Sequence, residues 1–243
     1  QRFSRLELAE AVESLAGSLG GFSGRNSLGL SGTFLSTQAM LGLDFFLDTL
    51  LHPAFPADEV EKRRREILLG LKNREDELSQ IAFDLFYATV FTSHPYRLMT
   101  IGTEESVQSL QREQLAAYYR TLLNPQHLVI SVVGDVDTDE IISYLRTALE
   151  PLPTASNQLP LPPAEPRPTA PRRQTKEFDK QQAHIVLGYQ GVSLTNTDRY
   201  VLKMIDAILS RQGGRLFYEL RELRALAYSV TAFSVEGLAP GVF

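Results

Sequence analysis

The stretch PADEVEKRRREILLGLKNREDELSQIAFDLFYATVF, Pro56 to Phe91, decides how the rest of the chain is read. Val60, Ile67, Leu68 and Leu71 recur at spacings that place them on one side of a helix, and Glu59, Glu61, Lys62, Arg63, Arg64 and Arg65 fill the other sides. Acidic residues crowd the first turn, where unpaired amides favour negative charge, and basic residues follow. After a polar break from Asn73 to Ser79, a second apolar run, Ile81, Leu85, Phe86 and Val90, continues the pattern. The Arg63 to Arg65 run reads as a solvated face. One position on the apolar side, Gly70, carries no side chain.

Working outward toward the N-terminus, Ser4 and Glu7 have the spacing of a capping box, ahead of a stripe of Leu8, Val12 and Leu15 that Gly17 ends. Ser27 to Leu35 alternates like a half-buried strand. Met40, Leu43, Leu47 and Leu50 predict a helix stopped by His52-Pro53. Toward the C-terminus, Thr103 to Leu110 and Gln114 to Leu123 read as helices. Leu128 to Val133 reads as a strand covered on both faces, and Asp137 or Thr138 caps a helix carrying Ile141, Leu145 and Leu149. Helices grouped with strands, rather than strictly alternating with them, predict an α+β architecture in which a mostly antiparallel sheet carries helices on one face.

Eight of the chain's 13 prolines fall between Pro151 and Pro171, which predicts an extended surface tether and a domain boundary. The division expected is a first α+β subdomain over 1–150, a linker over 151–173 and the first part of a second α+β subdomain over 174–243. Within the last, Ala183 to Tyr189 and Tyr228 to Val235 read as strands. A helix striped by Val201, Ile205, Ile208 and Leu209 precedes a turn at Ser210 to Gly214 and a short helix from Arg215 to Leu223. About 70 residues make a marginal core. The chain is therefore expected to be a piece of a longer polypeptide, open to completing its second subdomain by dimerising.

Composition narrows the function classes. With 243 residues, 43% hydrophobic, 22% charged and a net charge of −5, the chain has the make-up of a globular protein, and no basic footprint invites nucleic acid. No apolar run is long enough to span a bilayer, and compartment, cytoplasmic or periplasmic, stays open. The absence of cysteine removes thiolate metal sites, cysteine nucleophiles and disulfides. His52, His94, His127 and His184 are isolated, with no His-x-x-Glu-His or His-Glu-x-x-His cluster, and each reads as structural. Gln212-Gly213-Gly214-Arg215 could cradle an anion, but two glycines more simply permit a sharp turn or a close backbone approach. Arg221 and Tyr228, seven residues apart across a helix-to-strand junction, could hold a peptide carboxylate or carbonyl. From spacing alone they equally fit a surface arginine and a packed tyrosine.

Several motifs together resemble the insulinase and pitrilysin family of zinc metallopeptidases. They are Leu8-Ala9-Glu10 through Gly17-Ser18-Leu19, Leu51-His52-Pro53 with Phe55, Glu59 to Lys62, His94-Pro95-Tyr96, Gly102 to Val107, Asn124-Pro125 and Val133 to Val136. In the second subdomain, Gln182-Ala183-His184 to Gly188 and Arg215-Leu216-Phe217 to Tyr228-Ser229-Val230 match as well. The resemblance implies one half of a clam-shell built from two similar α+β subdomains, with the first subdomain's N-terminal strand and helix upstream of Gln1. In active members an inverted His-x-x-Glu-His helix supplies two zinc ligands and the base, and a later helix supplies a glutamate as third ligand. Alignment through Arg74-Glu75-Asp76 puts that glutamate on Gly70 and a second customary glutamate on Arg63. The chain is therefore expected to hold no metal and no catalytic residue. Zinc is expected in an active partner half, on the same polypeptide or a separate subunit. The family's arginine and tyrosine beyond the glycine-rich loop carry over onto Arg221 and Tyr228, implying that they bind substrate peptide while the active half polarises the scissile carbonyl with zinc-bound water. Two alternatives stand beside this: an active half with an upstream His-x-x-Glu-His and Glu66 or Glu75 as an unconventional third ligand, and a structural assembly protein akin to the inactive core subunits of respiratory complexes.

Overall fold

The computed structural model describes residues 2–153 and 161–243. By its packing the chain divides into two compact units, Gln1–Gly70 with Thr103–Leu159, and Leu71–Gly102 with Pro160–Phe243. The subdomain division at 1–150, 151–173 and 174–243 is a separate proposal, and residues 154–160 of its linker lie outside the described residues.

In the first unit, α1 (Arg5–Ser14) starts at a complete capping box. Ser4 accepts from the Glu7 amide at 3.3 Å, and the Glu7 carboxylate accepts from the Ser4 amide at 2.8 Å. β1 (Ser18–Ser23) and β2 (Leu28–Thr33) form an antiparallel hairpin in the register Ser18↔Thr33 to Ser23↔Leu28. Only β2 was expected. β1 is poor in strand-favouring residues, and Phe22 lies across its partner Gly29, covering the space where a side chain would stand. α2 (Ala39–Leu51) buries Phe45, Leu47 and Leu50 and ends at His52, ahead of Pro53. It also carries Asp48, 6% exposed and held by the Arg2 amide and guanidinium. α3 (Ala57–Arg74) is the long helix read from Pro56 onward, and α4 (Leu78–Val90) follows its break as expected.

Arg64 departs from the solvated face assigned to Arg63–Arg65. Its side chain is 15% exposed, because the guanidinium reaches the carbonyls of Val107 and Leu110 at the C-terminal end of α5 (Glu104–Ser109). Those carbonyls have no partner inside the helix, and a cation satisfies them. α6 (Arg112–Leu122) docks through the Tyr119 hydroxyl, which donates to the Leu50 carbonyl at 2.7 Å. α7 (Thr138–Leu149) is capped by Asp137, whose carboxylate accepts from the Asp139 and Glu140 amides.

In the second unit, Val90, Phe91, Tyr96 and Val242 form the buried cluster, with Phe86, Tyr87 and Ala239 packed against it. α8 (Arg199–Leu209) leads into a turn and then a wide π-helical segment, Phe217–Leu223.

The architecture is α+β, as expected, but its sheet is smaller than the sequence suggests. Among the described residues β1 and β2 form the sole sheet. Leu128 to Val133 is extended with no ladder, and Val129 and Val133 are 90% and 94% exposed rather than covered. Ala183 to Tyr189 likewise leaves Ile185 and Leu187 exposed. Apolar content marks a stretch as suited to burial, yet a strand exists only where a second edge meets its N–H and C=O groups. That condition is met locally farther on. Tyr189 and Phe243 exchange backbone hydrogen bonds at 2.8 and 3.0 Å, Gly191 donates to the Gly241 carbonyl, and Val235 pairs with Val242.

Candidate substrate-binding site

The candidate site grows from the turn that ends α8. Arg211 has φ +68° and Gly214 follows three residues later; a Cβ on Gly214 would collide with the Leu209 and Ser210 carbonyl oxygens. Gly214 is therefore needed for close backbone approach and is explained without an anion, whereas a Cβ on Gly213 would meet nothing within 4 Å. Ser210 is buried and fixes the turn to the following extended stretch, accepting from the Ala232 amide at 2.7 Å and donating to its carbonyl at 2.6 Å.

Beyond the turn, the π-helical segment carries Arg221 on its last turn. The Leu226 amide bonds back to the Leu220 carbonyl, the Ala225 amide to the Arg221 carbonyl, and Ala225 sits at φ +50°. This left-handed residue reverses the chain in the manner of a helix C-terminus and carries Tyr228 back over the helix it has left. The structure thus brings the two sequence-predicted residues together. The Arg221 guanidinium carbon lies 5.0 Å from the Tyr228 ring centroid and 4.8 Å from that of Phe217. Phe217 was named from the sequence only as part of a family motif and not as a site residue, although its spacing of four residues from Arg221 along a helix was the available signal.

Two rings hold the guanidinium by their π faces, which leaves its N–H edge pointing away from them. The ion pair with Glu222 is long, 3.9 Å, so that edge stays available. Tyr228 is 84% exposed, far more than a packed tyrosine. A planar five-donor fork beside an exposed phenol suits a carbonyl or carboxylate oxygen presented by an extended peptide.

The positions bearing on metal are arranged otherwise. Gly70 lies half-buried on α3 and offers no donor. Arg63 is turned to solvent and paired with Glu66 at 3.0 Å, so Glu66 already has a cationic partner. Glu75 lies past the last residue of α3, in the turn that follows. Among the described residues no group of three histidine, cysteine, aspartate or glutamate side chains converges as a metal site would require. His94 is 2% exposed, accepts from the Tyr96 amide through Nδ1 at 3.2 Å, and packs against Phe91 and Tyr96. Burial lowers its pKa from 6.5, so the ring is neutral and structural. Among the described residues no helix is long and apolar enough to cross a membrane.

The chain is similar to known proteins along most of its length. Residues 109–243 match the family model described as the peptidase M16 inactive domain, and residues 1–104 match that of insulinase, peptidase family M16. An uncharacterized zinc protease of Streptomyces coelicolor is 28% identical over 241 residues, covering 95% of this chain and 52% of that protein. One from Bacillus subtilis is 26% identical over 231 residues, covering 95% of this chain and 56% of its own. The chain thus spans about half the length of the curated relatives it matches. Among solved structures, a peptidase M16 inactive domain from Pseudomonas fluorescens superposes with a TM-score of 0.80 at 19% identity, over all of this chain and 59% of that one. A protease from Helicobacter pylori gives 0.82 at 17%, over all of this chain and 60% of its own. Zinc is expected in such a family, but the residues described here do not form a site that fits it. The inactive-domain model alone matches more than half of the sequence, and the chain belongs to the insulinase (M16) peptidase family.

Proposed function

We propose that this chain is a non-catalytic part of a zinc metallopeptidase, and that it holds substrate peptide for an active half that carries the metal. Arg221 donates from its N–H edge to a backbone carbonyl or carboxylate of the peptide, and Tyr228 adds a phenolic partner from the same surface. Enclosing the peptide between two halves fixes its orientation and keeps bulk water from the reacting bond. No bond-making step runs through the residues of this chain.

The observation that carries this reading is the exposed stack of Arg221 between Phe217 and Tyr228. A residue pair serving only the fold would bury the tyrosine and satisfy the guanidinium internally. The match to the inactive-domain model across the same residues supports it. The test is turnover of an unstructured peptide by the assembled enzyme, wild type against Arg221→Met and Tyr228→Ala. Loss of a charge-assisted hydrogen bond predicts a fall in kcat/KM of about ten- to a hundredfold with thermal stability unchanged. Full turnover in both variants would contradict the proposal, and an assembly without turnover of any peptide would favour a structural subunit.

A further inference from the structure

The proline-rich stretch after α7 carries one carboxylate with an unusual set of partners. Glu165 accepts five hydrogen bonds from three consecutive residues. Its Oε1 receives the Thr92 amide and hydroxyl, both at 2.7 Å, and its Oε2 receives the Ser93 amide at 2.8 Å, the Ser93 hydroxyl at 3.0 Å and the His94 amide at 2.8 Å. Seven residues on, the Arg172 guanidinium donates to the carbonyls of Thr89 and Val90 at 3.2 and 3.0 Å. These belong to the last turn of α4, where carbonyls lack intrahelical partners and a cation is favoured. A third tie joins the Pro166 carbonyl to the Gln190 side chain at 2.9 Å. Glu165 and Arg172 thus grip the donor side and the acceptor side of the same corner, and between those grips lies Phe91, 1% exposed and the centre of the second unit's core.

We propose that residues 165–172 are a fixed strap of the second unit, with Glu165 seated in a nest of amides and hydroxyls at Thr92–His94 and Arg172 capping α4, so that this part of the proline-rich stretch locks the corner around Phe91. The segment forms neither helix nor ladder, and prolines suit it to this task because an extended chain with restricted φ loses little entropy when pinned at two points. The strap is permanent at ordinary pH. Burial alone would raise the Glu165 pKa, but the hydrogen bonds from His94, Thr92 and Ser93 outweigh it and hold the pKa at about 2. The titratable and charged groups around the carboxylate are His94, whose ring is neutral, Arg97, whose guanidinium donates to the Thr92 carbonyl at 3.0 Å, and Arg172. None of these releases the strap between pH 5 and 8.

The experiment is amide hydrogen exchange on the full chain. Glu165→Ala is expected to speed exchange at Thr92, Ser93 and His94 by about tenfold or more while α2 amides keep their wild-type rates. Arg172→Met is expected to speed exchange in the last turn of α4. Unchanged exchange at 92–94 in Glu165→Ala would overturn the proposal. Should that variant fail to fold, the Glu165 carboxyl is followed by carbon NMR in the unsubstituted chain. A titration midpoint near 2 supports the strap, and one near the ordinary 4.5 overturns it.

Discussion

At the scale of single residues, two arginines show how one side-chain type serves opposite purposes. Arg64 uses its fork on the helix end of α5 and is largely covered, whereas Arg221 is held by the π faces of two rings and has only the long ion pair to Glu222. A guanidinium positioned by rings with so loose a polar partner suits a binding site more than a core. His94 makes a pH prediction with a definite sign. Its folded pKa lies below 6.5 because burial disfavours the imidazolium, so the unfolded chain binds more protons there than the folded one. The stability this contributes is complete above pH 6.5 and is lost as pH falls from there through the depressed value. His94→Asn keeps an acceptor for the Tyr96 amide and is expected to flatten that slope. Chemical denaturation of both proteins between pH 7.5 and 5 reads the difference, and identical slopes would assign the pH dependence to other groups.

At the scale of elements, the ends of helices were more legible in the sequence than the strands. Ser4-Glu7 and Asp137 are caps that act within a few residues, so spacing pointed to them, whereas Thr103, read as the first helical residue, is the cap of α5. Leu128–Val133 and Ala183–Tyr189 have the composition of strands, but pairing is a property of two segments and cannot be read from one. β1 was missed for the converse reason, since its pairing comes from β2 while four of its six residues are serine or glycine. Of the candidate site, Arg221 and Tyr228 could be named from the chain. Their stacking could not, because it depends on the left-handed Ala225 that turns the chain back. Ala225→Gly removes the Cβ strain of that conformation and is expected to raise stability by up to about 1 kcal/mol, read as an increase in denaturation midpoint. The turn between α3 and α4 rests on a two-pronged ion pair, Arg74 to Asp84 at 2.8 and 2.9 Å, with both side chains mostly covered. Asp84→Ala leaves that guanidinium unpaired and is expected to cost about 1–3 kcal/mol in the same measurement.

At the scale of the whole molecule, the chain has the M16 fold, and the proposal is that Arg221 faces peptide while Gly70 stands where the resemblance puts a metal ligand. Family membership and fold do not by themselves fix activity, so the proposal turns on the metal-bearing positions. The rival reading, with Glu66 or Glu75 as third ligand, requires Glu66 to leave Arg63 and Glu75 to act from beyond the end of α3. The direct measurement is zinc content of the longer polypeptide that carries this chain, after dialysis against micromolar zinc, with Glu66→Gln and Glu75→Gln alongside. With no ligand supplied from these residues, zinc content is expected to be the same in all three proteins. A tightly held zinc that is lost in either glutamine variant would contradict the non-catalytic reading.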